Sequence, residues 1–82
     1  MNDAELRAAV LAALGEIAPE APLDRLAGDA ALREELDLDS MDFLRFIQRL
    51  AAATGVEVPE SDYAKLASLD ACVAYLGART NP

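Results

Sequence analysis

Histidine is absent from the chain, which removes the Ser-His-Asp and Cys-His catalytic arrangements and the commonest metal ligand. The single cysteine, Cys72, has no second cysteine with which to form an internal disulfide. Aromatic rings are few, two Phe and two Tyr, so Leu, Val and Ile must build the core. Bases are scarce as well. Seven stand against 15 acids for a formal charge of −8, which disfavours nucleic acid and anionic membranes and favours basic protein partners or plain solubility. No run approaches the roughly 18 apolar residues of a membrane helix. The start, Met1-Asn2-Asp3-Ala4-Glu5, has neither the basic end nor the apolar centre of a secretory signal. These absences predict a cytoplasmic chain with no membrane insertion, no metal centre and no catalysis of its own.

What is present points to a helical fold. The 82 residues are enough for one domain at most, over 1–82, and the 54% hydrophobic content argues against disorder. Leu6, Val10, Ala13, Leu14 and Ile17 recur at spacings of three and four, predicting an amphipathic helix over about 3–18. Asn2 with Glu5 reads as its capping box and Pro19 as its stop. The stretch from Pro19 to Asp39 is rich in turn formers and reads as a long, packed connection. Leu23, Leu26, Leu32 and Leu36 pin it, and Asp29 is expected to cap a short turn over Ala30 to Leu36.

A second helix is predicted over 40–54. Met41, Leu44, Ile47, Gln48 and Ala51 lie along one edge and Phe43, Phe46, Leu50 and Thr54 along the next, a sector wide enough for two neighbours. Gly55 sits at its C-terminal cap. Val56-Glu57-Val58 then reads as a loop that buries both valines. A short helix over about 61–66 follows, with Ser61 as its cap, and Ser68 caps a last helix over 69–77. The inner face of that helix is Leu69, Cys72, Val73 and Leu76, Gly77 ends it, and 78–82 is a tail. Cys72 is expected to behave as a small apolar residue. The fold class is all-α: a small antiparallel bundle of three longer helices and one short one, with a long first loop, expected to be monomeric.

Chemistry concentrates at Asp39-Ser40-Met41. Alone, Asp-Ser before an apolar run reads as a helix cap. A serine in a helix's first turn also offers its hydroxyl beside free backbone N–H groups and the positive end of the helix dipole, which favours a phosphate ester. Asp37-x-Asp39 resembles the opening of a calcium loop, but the third acid falls on Met41, the required Gly on Asp42 and the closing Glu on Gln48.

In context, Glu35-Leu36-Asp37-Leu38-Asp39-Ser40-Met41-Asp42 resembles the attachment motif of acyl carrier proteins. The order and spacing of Val56-Glu57-Val58-Pro59-Glu60, Ser61 to Leu66 and Ser68 to Leu76 resemble the rest of that family. The resemblance implies that Ser40 bears 4'-phosphopantetheine, with Asp39 and Met41 as its motif neighbours. It implies as partners a phosphopantetheinyl transferase and the enzymes that load and transfer acyl groups. It also implies an acyl pocket beside the second helix, for which Phe43, Leu44, Ile47, Leu66 and Leu69 are the candidates. Phe43, one turn after Ser40, reads either as core or as a ring at the pocket mouth. The family usually has Gly where Asp37 stands, and Asp is one of the few residues that tolerates the left-handed geometry Gly would allow. Many members present an acidic helix to basic partners. Here Asp39 and Asp42 are balanced by Arg45 and Arg49, so Asp37, Asp42, Arg45 and Arg49 are the expected determinants of partner recognition. Two other readings are an aminoacyl or D-alanyl carrier, and an unmodified adaptor that binds through the broad apolar face of the second helix.

Overall fold

The computed structural model describes residues 1–80, and the predicted tail residues 81–82 lie outside it. The helices are α1 (Asp3–Ile17), α2 (Leu32–Glu35), α3 (Ser40–Thr54) and α4 (Leu69–Thr80), with 3₁₀ segments at Leu23–Arg25 and Glu60–Leu66. α1 packs on both α3 and α4, and the second 3₁₀ segment packs on α4. Ten side chains led by Phe46, Leu6, Leu14 and Leu32 are sealed between them. The result is an all-helical bundle of three longer helices with a short one set into the first connection.

Local chemistry accounts for most of the boundaries. α1 opens on a reciprocal box in which the Glu5 amide donates to Asn2 Oδ1 at 2.8 Å and the Asn2 amide to Glu5 Oε1 at 3.0 Å. It buries Leu6, Val10, Ala13 and Leu14, and it ends where Ala18 donates to Leu14 before Pro19. α3 ends on Gly55, whose φ of 74° places it in the left-handed region required of a terminal cap. Ser68 Oγ accepts from the Ala71 amide at 3.1 Å and starts α4.

Elsewhere long-range partners displace the local ones. Asp29 does not cap α2, and the helix is shorter than the predicted turn. Its Leu32 amide donates instead to the Ala67 carbonyl at 2.8 Å, which fills the role the Asp29 carboxylate was expected to play. The Asp70 amide donates to the Gly28 carbonyl at 2.9 Å, so the long connection is stitched at two points to the corner before α4. Ser61 is not a cap either. The 3₁₀ segment begins one residue earlier, at Glu60, its cap position is Pro59, and no side chain caps it.

α4 does not stop at Gly77 but runs to Thr80. Its last turn is held by Thr80 Oγ1 donating to the Leu76 carbonyl at 2.9 Å and by the Arg79 guanidinium, 3.6 Å over the Tyr75 ring. Tyr75 joins Leu69, Cys72 and Leu76 on the buried face, whereas Val73 is only partly covered.

The expected two-edged sector on α3 is one face. Phe43, Phe46, Ile47 and Leu50 are buried, Leu44 and Ala51 are half-buried, Gln48 is exposed, and Met41 is 65% exposed. At about 100° per residue, Met41 falls opposite Phe46 and Leu50. The broad apolar face that an adaptor would need free is therefore spent on the core.

Candidate functional site

The turn into α3 decides where Ser40 stands. α2 finishes at Glu35, and Asp37 takes φ 52°, the one positive φ of a non-glycine residue among those described. The Leu38 amide then reaches back to the Arg33 carbonyl at 2.8 Å, and the Leu38 side chain is buried. That pairing, six residues closed around a left-handed residue, is a Schellman-type helix end. Asp37 thus occupies the glycine place in the geometry expected of it. The chain emerges with Asp39 extended as N-cap. Asp39 Oδ1 accepts from the Asp42 amide at 2.8 Å, and Asp42 Oδ2 accepts from the Asp39 amide at 3.3 Å.

Ser40 is consequently the first residue of a 15-residue helix, exposed, and held between two residues that cap each other. Its hydroxyl is not needed to start the helix. The cap acceptors serve Asp39 and Asp42, so the amides of Ser40 and Met41 remain at the open, positive end. The Asp42 carboxyl is held below the usual carboxylate range, first by the hydrogen bond from Arg45 and then by that from the Asp39 amide.

Sequence reasoning missed one neighbour. Arg33 Nη2 donates to Ser40 Oγ at 3.3 Å, and its guanidinium lies 5.6 Å over the Phe43 ring. Nothing periodic could have revealed it, because Arg33 lies on a four-residue helix and meets Ser40 only through the Asp37 turn. Beside Ser40 opens a groove of about 710 Å³ between α2, α3 and the 3₁₀ segment, lined among others by Arg33, Met41, Phe43, Leu44, Tyr63 and Ala67.

Of the five pocket candidates, Phe43 and Leu44 reach this groove. Ile47, Leu66 and Leu69 do not, being buried in the core at 3%, 0% and 0% exposure. Phe43 is core, the first of its two expected places, and it also lines the groove. It is 6% exposed, with its ring edge-on to Tyr63 at 6.3 Å and tilted against Phe46 at 5.8 Å, and it forms the floor of the groove. Arg45 and Arg49 point away from the groove and are not a free basic strip. Arg45 pairs with Asp42 at 2.8 Å and Arg49 with Glu16 of α1 at 3.3 Å.

Cys72 is fully buried, and its Sγ donates to the Leu66 carbonyl at 3.5 Å. Burial pushes its thiol up to about 12. Among the described residues no three His, Cys, Asp or Glu side chains are arranged to hold a metal ion. No helix there is long and apolar enough to cross a membrane.

An exposed serine hydroxyl at a helix N-terminus, a guanidinium within hydrogen-bonding distance and an adjoining apolar groove suit a phosphate ester with an organic arm. The family profile described as "Phosphopantetheine attachment site" matches residues 4–76. Among curated proteins, the chain is similar to an acyl carrier protein of Lactobacillus johnsonii, 31% identical over 58 residues that cover 71% of this chain and 72% of the relative. It is similar also to an acyl carrier protein of Rubrobacter xylanophilus, 33% identical over 48 residues, 58% of this chain and 59% of the relative. The matched profile spans the Asp39–Asp42 cap, the Asp37 turn and the whole of α3, so the chain belongs to the acyl carrier protein family, whose prosthetic group is covalently bound 4'-phosphopantetheine.

Proposed function

We propose that Ser40 is the residue that bears the prosthetic group. The observation carrying this reading is the reciprocal Asp39–Asp42 cap, which presents Ser40 at the first helical position with its hydroxyl outward and uncommitted to the helix. In the attachment step, Ser40 Oγ bonds to the phosphorus that carries the pantetheine portion of coenzyme A. The diphosphate P–O bond breaks, the nucleotide portion leaves, and the hydroxyl proton passes to a base. The chain supplies no such base, since the Ser40 hydroxyl meets a guanidinium rather than a carboxylate or imidazole. The base therefore belongs to a phosphopantetheinyl transferase, and the chain itself is a carrier rather than a catalyst. Once attached, the group supplies a terminal thiol that holds an acyl chain as a thioester. The two named relatives favour an acyl over an aminoacyl cargo.

Incubation with coenzyme A and a broad-specificity transferase is expected to raise the mass of the protein by one phosphopantetheine, mapped to Ser40. Equal labelling of Ser40→Ala would sink the assignment.

Exchange of cargo with the loading and transfer enzymes is proposed to use the exposed side of α3 together with Asp37. On that side Met41 projects and the Arg45 and Arg49 charges are offset by Asp42 and Glu16, leaving a near-neutral surface. Enzymes whose docking sites are basic gain little from it. Arg45→Glu with Arg49→Glu is expected to lower the KM such enzymes show for the carrier, and the gain should shrink with salt. An unchanged KM at low ionic strength counts against a recognition role for the two arginines. A cytoplasmic, monomeric carrier is the setting we propose, supported by the lone thiol buried without a disulfide.

A further inference from the structure

We propose that Arg33 is a clamp for the phosphodiester on Ser40, a positioning residue that aims the arm into the groove beside α3. The proposal rests on Ser40 being the attachment point. Three observations carry it. Arg33 already reaches Ser40 Oγ at 3.3 Å, and its guanidinium is steadied by the Phe43 ring at 5.6 Å. Its backbone is fixed relative to Ser40, because the Arg33 carbonyl accepts the Leu38 amide that closes the Asp37 turn. Its charge is uncommitted. Arg33 forms no ion pair among the described residues, while Arg45 and Arg49 on α3 are both paired.

The surroundings make a cation here consequential. Glu34 and Glu60 line the same groove, and Asp37 and Asp39 flank Ser40, so an added anion enters an acidic neighbourhood on a chain of charge −8. Arg33 is the one basic residue lining that groove. In the unmodified chain its fork meets a neutral hydroxyl, a weak partner. Esterification bonds that Oγ to a phosphorus whose two non-bridging oxygens share one negative charge, and a planar fork matches that pair. Charge-assisted bonds are about twice as strong as neutral ones, so modification converts a loose contact into a restraint. A phosphodiester and a guanidinium both keep their charge at ordinary pH values, so the restraint responds to salt.

The test uses the full-length holo-protein, with Arg33→Gln, Arg33→Lys and, as a control, Arg25→Gln on the exposed first 3₁₀ turn. Phosphorus NMR at low salt reads the shift and relaxation of the phosphodiester itself. The wild type and Arg25→Gln are expected to show a resonance displaced from that of a free phosphopantetheinyl-serine peptide, itself a phosphodiester, and relaxing faster. Arg33→Gln should return it to the free position, Arg33→Lys should fall between, and added salt should carry the wild type toward Arg33→Gln. Identical shift and relaxation in the wild type and Arg33→Gln would overturn the clamp. Protein mass separates this from failure of the underlying reading: a wild type that gains no phosphopantetheine overturns both, whereas equal mass gain with no phosphorus difference overturns the clamp alone. Should Arg33→Gln lose its helical circular dichroism, the lysine variant and the wild-type salt titration decide the question.

Discussion

Asp37 carries the sharpest conformational demand of any described residue. Its φ of 52° is tolerated by Asp better than by residues with larger or branched side chains, yet it still costs more than it would for Gly. Ala at this place has neither the polar side chain that stabilises left-handed geometry nor the freedom of Gly. Asp37→Ala is expected to be less stable than Asp37→Gly by about 1 kcal/mol, read from urea midpoints. Equal midpoints would mean that the turn relaxes out of the left-handed region when substituted. The same turn delivers Asp39 to its capping position and Arg33 to Ser40, so the substitution is also expected to disturb the attachment site. Phe43 shows how one residue can serve two ends: the ring that seals the core against Tyr63 and Phe46 is also the surface on which Arg33 rests.

At the level of elements, the best clasp joins the second 3₁₀ segment to α4. The Tyr75 hydroxyl donates to Asp62 at 2.6 Å, Lys65 and Arg79 approach the same carboxylate at 3.2 and 3.6 Å, and Arg79 stacks on the Tyr75 ring. The Tyr75 bond chiefly, with the two cations, holds the Asp62 carboxyl below its ordinary 3.8. A carboxyl depressed by folding adds stability that is present above that ordinary value and is lost as pH falls through the lower, folded one. Tyr75→Phe is therefore expected to melt below the wild type at neutral pH, with the gap narrowing once pH drops under about 4. A gap of constant size down to strongly acid pH would show that the hydroxyl acts through something other than Asp62.

The elements also show which boundaries were legible. Asn2 with Glu5, Gly55 and Ser68 announce helix ends because each cap is closed by residues four or fewer apart. The role expected of Asp29 failed because a distant partner, the Ala67 carbonyl, takes the α2 amide, whereas Ser61 and Gly77 failed locally: the 3₁₀ segment starts from Pro59, and α4 continues through Gly77 to Thr80. The site divides in the same way. Ser40 and its acids are contiguous and readable, whereas Arg33 reaches Ser40 by way of a turn.

Over the whole molecule, charge is the property held in tension. Among the described residues five surface ion pairs set a modest attraction against the repulsion within an excess of eight acids. Screening weakens both, and the excess is the larger, so the melting temperature is expected to rise from low to moderate salt. A flat or falling curve would mean that the pairs outweigh the excess. Cys72 has a consequence at this scale. A thioester passes readily to any thiolate or free amine it meets, and a carrier that owned one could discharge onto itself. Here the sole side-chain thiol is sealed at 0% exposure with its ionisation pushed up to about 12, histidine is lacking, and the single lysine, Lys65, is held against Asp62 at 3.2 Å. The chain's own thiol is closed to its freight, and how long a load survives is left to water, to exposed amines and to the enzymes that come to collect it.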